Sequence, residues 1–248
     1  MKNSEQGLHP LSKWPKKLLP LTSEQTEIKN DFMKYWHEVL PKKYGVVEVF
    51  NNGFVTRQYK PAPTGEIIKT LEIGAGLGEH IEREDLTRQQ YWVLELRDNM
   101  ASVIKERFPT VETVVGDIQE QTQFPDNYFD RVVAIHVLEH LPNLPSALRE
   151  VFRILKPGGF FTAVIPCEGS IAYSLARRIS AKRIFEKRYN LSYDWFIQTE
   201  HINLPQEILE EIDRVGGTIS KMAYFPIPIP LMFCNLCLGL DLKKEEED

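Results

Sequence analysis

Cysteine is scarce in this chain, which argues against two classes of protein. Three cysteines, Cys167, Cys234 and Cys237, are too few for a disulfide scaffold. Cys234 and Cys237 have the spacing of a redox or zinc pair, but they lie in an apolar run and no second pair accompanies them. We interpret them as small, buried apolar residues. This cysteine usage suggests a reducing cytosol, so we expect a cytoplasmic protein.

Long apolar runs and an excess of positive charge are also missing. No stretch reaches the roughly 18 apolar residues that a membrane span needs, and the apolar segment 225–240 contains three prolines. The N-terminus lacks the apolar core of a signal peptide, so no secretion signal is predicted. The formal net charge of −5 argues against a dedicated nucleic-acid-binding domain.

The length of 248 residues and the 42% hydrophobic content fit one large soluble core. We assign 1–62 to an N-terminal arm and cap helices, with 1–20 as a loose arm, and 63–248 to the main domain. Thr22 and Gln25 form a capping box for a helix that ends near Leu40.

Residues 46–59 carry two conflicting signals. Asn52-Gly53 between apolar residues favours a hairpin, but the apolar spacing also suits one face of a helix. We favour the helix. Phe50 and Asn51 would then approach any ligand at the sheet or, as we rather expect, pack against it.

Strand and helix patterns alternate through the middle of the chain. Strands are predicted at 67–73, 91–95, 114–118, 131–135 and 160–165, and helices at 98–107, with Asp98 as its cap, and at 145–156. Only a short charged link (79–90) separates the first two strands, which leaves little room for a helix. The alternation implies a doubly wound parallel α/β sheet, whose ligands bind beyond the carboxyl ends of the strands.

The first strand ends in a glycine-rich turn with glycines at 74, 76 and 78. Such a turn brings bare backbone against a ligand, because glycine lacks a Cβ and tolerates positive φ. A dinucleotide fingerprint would need glycine at position 79, which is glutamate. Glu72 and Glu79 would repel a pyrophosphate and attract a cationic ligand. Glu95 ends the second strand about 20 positions on, where a carboxylate can accept from both ribose hydroxyls.

The segment Glu72-x-Gly74-x-Gly76-x-Gly78 resembles motif I of class I S-adenosylmethionine (SAM) methyltransferases, whose cofactor carries a sulfonium and an ammonium. Two later segments, 124–134 (FPDNYFDRVVA) and 155–161 (LKPGGFF), resemble the stretches that lead into the family's fourth and fifth strands. The resemblance covers about 65–165, motif by motif. It implies a Rossmann-like seven-stranded sheet, mostly parallel, with an antiparallel edge from final strands at 217–225 and 231–238.

The resemblance also implies SAM as cofactor, S-adenosylhomocysteine as product, and a set of cofactor-binding residues. Leu96 and Arg97 would lie beside the adenine, Asp117 would accept from its amino group, and Ile118 would face its ring. His136 would lie nearest the methionine end. The complete predicted set is Glu72, Gly74, Ala75, Gly76, Gly78, Glu95, Leu96, Arg97, Asp117, Ile118 and His136.

The acceptor side is predicted from Glu139-His140, which follows the fourth strand, and from His201, which the resemblance places near the acceptor pocket. Histidine is suited to remove a proton from a hydroxyl acceptor. The alternative for His140 is a structural histidine bonded to Glu139. Some quinone-biosynthesis O-methyltransferases bind a divalent metal through Glu-x-x-Glu-His, but His136 replaces the first glutamate here. We predict no metal.

Residues 168–200 are interpreted as a lid over the acceptor pocket. Its helix, predicted at 170–188, carries six cations that either form a solvated face or attract an anionic acceptor or lipid headgroups. Four aromatic residues suited to stacking on an aromatic or sugar ring follow: Tyr189, Tyr193, Trp195 and Phe196. A helix from Pro205 to about Val215 and a charged tail, 243–248, complete the chain.

These features together predict a SAM-dependent methyltransferase. We expect methylation of an oxygen, in preference to a nitrogen or carbon, on a small molecule such as a metabolite, glycan or lipid precursor. The acceptor would be anionic, aromatic or lipid-linked. Peripheral membrane contact fits the basic lid, and nucleic acid is disfavoured. The alternatives are RNA or protein methylation, a non-catalytic SAM-binding subunit and, third, an NAD-dependent oxidoreductase. Nothing in the sequence predicts the oligomeric state.

Overall fold

A computed structural model describes residues 13–43, 45–58 and 67–245. The first twelve residues of the predicted arm, the boundary at 62/63 and the tail 246–248 lie outside the described residues. The main helices are α1 (Ser23–Lys43), α2 (Gly45–Gln58), α3 (Asp98–Arg107), α4 (Leu144–Ile154), α5 (Ile171–Arg177), α6 (Arg183–Tyr189), α7 (Asp194–Glu200) and α8 (Pro205–Arg214). The strands are β1 (Ile68–Ile73), β2 (Gln89–Glu95), β3 (Glu112–Val115), β4 (Phe129–Ile135), β5 (Leu155–Pro166), β6 (Thr218–Phe225) and β7 (Cys237–Lys243).

The seven strands form one sheet in the order β3-β2-β1-β4-β5-β7-β6. All pairs from β3 to β5 are parallel, and β7 lies antiparallel between β5 and β6. The predicted fold, a mostly parallel doubly wound sheet with antiparallel pairing at one edge, is confirmed. The parallel strands bring their carboxyl ends, and the loops that carry the predicted site, to a single edge.

The last strand was predicted at the wrong residues. The sequence placed it at 231–238, whereas β7 begins at Cys237 and includes Lys243, which we had assigned to the tail. The residues before β7 instead form a loop closed by the buried side chain of Asn235. Its Nδ2 donates to the carbonyl of Leu231 (2.9 Å) and its Oδ1 accepts from the amide of Ile227 (2.8 Å). These backbone groups are therefore satisfied without a strand partner.

Helices cover both faces of the sheet. On one face, α4 buries its apolar side against the main core together with α8. On the other, Phe54 and Val55 of α2 pack against Val133 and Val164. The preference for a helix over a hairpin at 46–59 is confirmed for the described part of this segment. Packing of Phe54 and Val55 outweighs the local hairpin signal of the preceding Asn-Gly pair.

The link after Gly78 contains only a short 3-10 turn (Ile81–Arg83), as its length predicted. A buried polar network takes up the space beneath α2. Glu84 accepts from Arg131 (3.0 Å) and pairs with His80 (2.7 Å), whose ring bonds Asn52 of α2 (3.1 Å). Although burial opposes it, these partners hold the pKa of Glu84 well below its usual range. The network ties α2 to β4 and so fixes the helix that borders the site.

Helix α1 has the predicted capping box, in which Thr22 and Gln25 exchange hydrogen bonds of 3.0 and 3.1 Å. Its Phe32 packs into a second core formed by the lid. Four lid residues, Phe185, Tyr189, Tyr193 and Phe196, meet the ring of Phe32 edge-on. The prediction that the lid aromatics stack on a substrate ring is therefore wrong for Tyr193 and Phe196, because both are buried in this core.

The described part of the predicted loose arm is docked rather than loose. Trp14 donates to Glu211 of α8 (3.1 Å), and Lys13 and Lys16 pair with Glu207 of the same helix (2.8 and 2.6 Å). The polar residues that suggested a loose arm include Lys13 and Lys16, which form these ion pairs. In the described part of the chain, we find no helix with the length and apolar character needed to span a bilayer.

Candidate active site

The glycine turn has the backbone geometry that its sequence predicted. Gly74, Gly76 and Gly78 all adopt positive φ (66°, 60° and 88°). A Cβ at Gly74 would lie 2.9 Å from Val137, and one at Gly78 would lie 2.5 Å from the ring of Phe108. Only glycine fits both the dihedral angles and the space. The turn therefore presents its backbone at the carboxyl edge between β1 and β2.

Glu95 closes the turn from the end of β2. Its side chain is 1% exposed. It accepts from the amide of Gly76 (3.2 Å) and from the amide and Nε of Arg97 (3.1 and 3.2 Å). The neighbouring Leu96 is 63% exposed and leaves an apolar surface beside this carboxylate. The residues predicted to contact the ribose and the adenine are therefore adjacent at the carboxyl end of β2.

The side chains of Glu72 and Ala75 point beneath the glycine turn, into the interior. The Glu72 side chain is 2% exposed, accepts from the hydroxyl of Tyr91 (2.8 Å), and has its pKa raised by burial. Ala75 packs with Tyr91 in a small core beneath the turn. These residues support the turn from below.

Two further predicted positions follow β3. Asp117 Oδ1 accepts from the amide of Gln119 (2.9 Å), which fixes the carboxylate at the strand end. Ile118 packs into the main core, so its side chain is largely committed there. The predicted cap of α3 is wrong by one residue, because Arg97 occupies the cap position and Asp98 lies in the first turn.

His136 stands at the tip of β4 in a left-handed conformation (φ 53°), which is uncommon for a residue other than glycine. Its ring bridges Asn51 of α2 (2.9 Å to Nε2) and Glu139 (3.1 Å to Nδ1). Burial by itself lowers the pKa of His136, but Cys237 and Glu139 raise it well above the ordinary value. Asn51 therefore belongs to the site through His136, in addition to packing against the sheet.

Two buried acceptor atoms flank His136 without a hydrogen-bond partner among the described residues, Asn51 Oδ1 and Glu139 Oε2. Burial would raise the pKa of Glu139, yet the hydrogen bond to His136 holds it at about 2. Unpaired buried acceptors are costly. A cationic group bound at this edge would satisfy them.

His140 and His201 converge from different parts of the chain, and their ring centroids lie 5.2 Å apart. Nδ1 of His140 is 2.6 Å from the carbonyl of Glu200, which can only accept. Nδ1 of His201 is 3.0 Å from Oε2 of Glu168. These partners favour a proton on each Nδ1, so each neutral imidazole has Nε2 as its basic nitrogen. Burial lowers the pKa of His140 and favours this neutral form.

Sequence reasoning missed Glu168 and Asn203. Glu168 follows β5 by two residues and holds His201, and its position just past a strand end could have indicated a role at this edge. The buried amide of Asn203 donates to the carbonyls of Leu138 and Leu141 (2.8 Å each), on either side of His140. Asn203 could not have been found from the sequence, because the contact joins segments more than sixty residues apart.

Three side chains of this cluster are close enough to hold a metal ion. One potential ligand atom from each of Glu139, His140 and His201 lies within 4.8 Å of the others. In the observed arrangement, Glu139 Oε1 is 3.1 Å from His136 and 3.8 Å from His140 Nε2. Glu139 is thus already paired with imidazoles, which suits acid–base chemistry as well as it suits a metal.

Comparison with known proteins identifies the domain. Residues 71–163 match the family model of a methyltransferase domain, Methyltransf_11. This match supports a class I SAM-dependent methyltransferase domain over these residues. The predicted resemblance and the predicted cofactor, SAM, are confirmed by this match.

Among the similar proteins are C-methyltransferases, which the chain matches in part. A sterol 24-C-methyltransferase (erg6) of Aspergillus fumigatus is 38% identical over 104 residues, which is 39% of this chain and 27% of that protein. The ubiquinone/menaquinone biosynthesis C-methyltransferase UbiE of Neisseria meningitidis is 25% identical over 163 residues, 60% of this chain and 66% of that protein. The chain thus spans a quarter to two thirds of these relatives' lengths.

Solved structures show the same fold. A SAM-dependent methyltransferase from Aquifex aeolicus superimposes with a TM-score of 0.59 at 13% identity, covering 87% of this chain and 97% of the other. One from Mesorhizobium loti gives a TM-score of 0.57 at 16% identity, covering 77% and 96%.

The residues of this edge fit SAM. Gly74 and Gly78 keep the turn free of side chains, because a Cβ there would collide with Val137 or Phe108, and Glu95 supplies a buried carboxylate beside the turn. The unpaired oxygens of Asn51 and Glu139 suit a positively charged ligand better than a pyrophosphate. The fit to SAM thus rests on the buried oxygens of this edge, which suit its positive charge, and on the bare backbone of the glycine turn.

Proposed function

We propose that this protein transfers a methyl group from SAM to a small-molecule acceptor whose proton is removed at His140 and His201. The simplest acceptor of this kind is a hydroxyl, so the proposed reaction is O-methylation of a metabolite, glycan or lipid precursor. The observation that carries the proposal is the convergence of two imidazoles, each with its Nδ1 bonded to an acceptor and its Nε2 as the basic nitrogen.

The chain's own residues would act in three ways. The glycine turn and Glu95 would hold the nucleoside, with Leu96, Arg97 and Asp117 around the adenine and His136 toward the amino-acid end. His140 or His201 would accept the acceptor's proton at Nε2, and Glu168 would stabilise the imidazolium formed at His201. When bound, SAM supplies an electrophilic methyl group on a sulfonium. Much of the acceleration in such a transfer comes from positioning the two reactants.

Transfer to carbon is the second candidate, and it is favoured by the described activities of the similar proteins, which are C-methyltransferases. His140 and His201 would act as the base in transfer to carbon as well. Removing the proton of a phenol or enol shares negative charge between the oxygen and the carbon bonded to the C–O carbon, so one base can support either product. The atom that receives the methyl group is therefore a separate question from the identity of the base.

The test combines cofactor binding with an acceptor screen on the full chain. Calorimetry should show binding of SAM and of S-adenosylhomocysteine, but not of NAD. Turnover to S-adenosylhomocysteine should then be screened with phenols, sugars, quinol precursors, sterols, RNA and peptides, and the methylated atom assigned by NMR. Turnover on RNA or peptide alone would replace the small-molecule proposal. SAM binding without turnover on any of these classes would favour a non-catalytic subunit.

A further inference from the structure

The segment between β6 and β7 exposes an unusual amount of apolar surface. Pro226 to Phe233 reads PIPIPLMF, and every residue of it except Met232 is exposed. Phe233 is 55% exposed. The buried Asn235 bonds Ile227 and Leu231 from beneath and so holds the segment in this outward shape. A run of exposed apolar residues on a defined loop marks a binding surface.

The lid helix extends this surface. A π-helical turn (Arg178–Lys182) joins α5 to α6, so 171–189 is one continuous helix. Ile171, Leu175 and Ile179, spaced four residues apart, form an exposed stripe along it, with Ile171 74% and Ile179 69% exposed. Helix α5 lies against the 3-10 turn Met232–Cys234. The stripe and the segment Pro226–Phe233 therefore belong to one face of the molecule, which we call the lid face.

Positive charge lies next to the apolar stripe. Arg178, Arg183 and Lys187 are exposed and make no ion pair among the described residues. Arg178 and Arg183 also line an open depression of about 540 Å³. By contrast, the helix's other cations are paired: Arg177 with Glu168, Lys182 with Asp194, and Arg188 with Asp31. The single carboxylate of the helix, Glu186, lines the same depression and contacts Lys182 (3.6 Å).

A lipid surface explains both features of this face. A protein partner or a second copy of the chain would cover the apolar residues but would leave three adjoining cations to be explained. An anionic bilayer accepts apolar side chains at its acyl boundary and attracts Lys and Arg to its headgroups. We propose that the lid face binds anionic lipid bilayers. Pro226–Phe233 and the Ile171–Ile179 stripe enter the interface, and Arg178, Arg183 and Lys187 contact the phosphates.

The lid face borders the catalytic cluster. Tyr173, on the same helix, has its ring centroid 6.2 Å from that of His201, and Arg177 pairs with the Glu168 that holds His201. A bilayer at this face would therefore lie next to the acceptor side of the site. Membrane binding does not depend on the proposed methyl transfer, because it can be measured without SAM.

The test is sedimentation of the full chain with vesicles of phosphatidylcholine, alone or with about 30 mol% phosphatidylglycerol. Binding should require the anionic lipid and should weaken as salt rises from about 0.1 to 0.5 M. The triple variant R178Q/R183Q/K187Q should lower the partition coefficient about 100-fold, since each cation near an anionic surface contributes several-fold. The double variant I229Q/F233Q should lower it as well.

A matched control removes the same charge elsewhere. Arg83, Lys105 and Arg149 are exposed and lie outside the lid face, so R83Q/K105Q/R149Q should leave vesicle binding within about twofold of the wild type. Unchanged circular dichroism and SAM affinity in each variant would show that folding and the cofactor site are intact.

Two results would overturn the inference. One is equal binding to neutral and anionic vesicles, or an equal loss of binding in the control and the lid-face triple. The other is a chain that binds no vesicles but self-associates in sedimentation equilibrium. If I229Q/F233Q abolished that self-association, the lid face would be a contact between copies of the chain. If vesicle binding failed while SAM bound normally, only the membrane inference would be lost.

Discussion

Glu168 and His201 are joined by a 3.0 Å contact between a carboxylate oxygen and Nδ1. The carboxylate comes from the end of β5 and the imidazole from the end of α7, so the contact joins the lid to the sheet. Burial would raise the pKa of Glu168, but His201 and Arg177 lower it, and the group is therefore charged near neutral pH. A charged partner on Nδ1 both orients the ring and stabilises its protonated form.

The substitution Glu168→Gln should therefore slow methyl transfer. An amide can still bond Nδ1, but it cannot stabilise the imidazolium, so we expect kcat to fall about 10- to 100-fold with the SAM dissociation constant unchanged. Single-turnover rates and calorimetry measure the two effects separately. Glu186→Gln, on the same lid but without a contact to either histidine, is the control. If both variants behaved alike, Glu168 would have no positioning role.

The acid side of the pH–rate profile should report His140. A general base must be deprotonated, and burial lowers the pKa of His140 below its usual value of 6.5. kcat/KM should therefore be level above about pH 6.5 and decline only below it. In His140→Gln we expect turnover to fall about 100-fold or more. A wild-type rate that still increased with pH between 7 and 9 would point to another base.

Much of this arrangement was predictable because it depends on local sequence. The turn at Gly74 to Gly78 requires glycine for steric reasons that any fold would impose, and Glu95 is placed by the length of the link and the second strand. The preference for a helix also proved right over 46–58, the described part of that segment. It rested on apolar spacing, which reflects how the helix meets the sheet.

The rest could not be predicted because it depends on contacts between distant segments. The aromatic residues Tyr193 and Phe196 look like a substrate platform until Phe32, far away in sequence, is found packed against them. The residues predicted as the last strand instead form a loop, which is held by hydrogen bonds of Asn235 that no local sequence pattern indicates. The proposed role of Glu168 depends on His201, which the fold brings to the end of β5.

Glu95 should be the residue on which cofactor affinity most depends. Its carboxylate is buried at the end of β2, where it is proposed to accept from the ribose hydroxyls. Hydrogen bonds to a charged group contribute about 1.5–3 kcal/mol each, so Glu95→Gln should weaken SAM binding roughly 10- to 100-fold. Glu106→Gln, exposed on α3 and outside the predicted set, serves as the control in calorimetry. Equal affinities for both variants would remove Glu95 from the cofactor site.

Metal chelation should leave turnover unchanged. Glu139 is already bonded to His136, and the Nδ1 partners of His140 and His201 leave each Nε2 available as a base, so the cluster can act without an ion. Activity measured before and after dialysis against EDTA should agree within about twofold. Loss of activity with recovery on adding one divalent metal would instead identify Glu139, His140 and His201 as ligands.

Glu207 should stabilise the fold in a pH-dependent way. Although burial opposes it, Lys13 and Lys16 hold the pKa of Glu207 at about 2, against an ordinary value of 4.5. A carboxyl whose folded pKa is depressed contributes stability above its unfolded pKa and loses it as pH falls through the folded one. Glu207→Gln should therefore lower the free energy of unfolding by about 1–3 kcal/mol at pH 7. In urea titrations, this difference should shrink as pH falls from about 4.5 toward 2.

Glu210→Gln, on the same helix without these lysine contacts, is expected to change stability by less than about 0.5 kcal/mol. A difference between Glu207→Gln and wild type that stayed constant down to pH 3 would show that Lys13 and Lys16 do not hold the N-terminal segment through this charge.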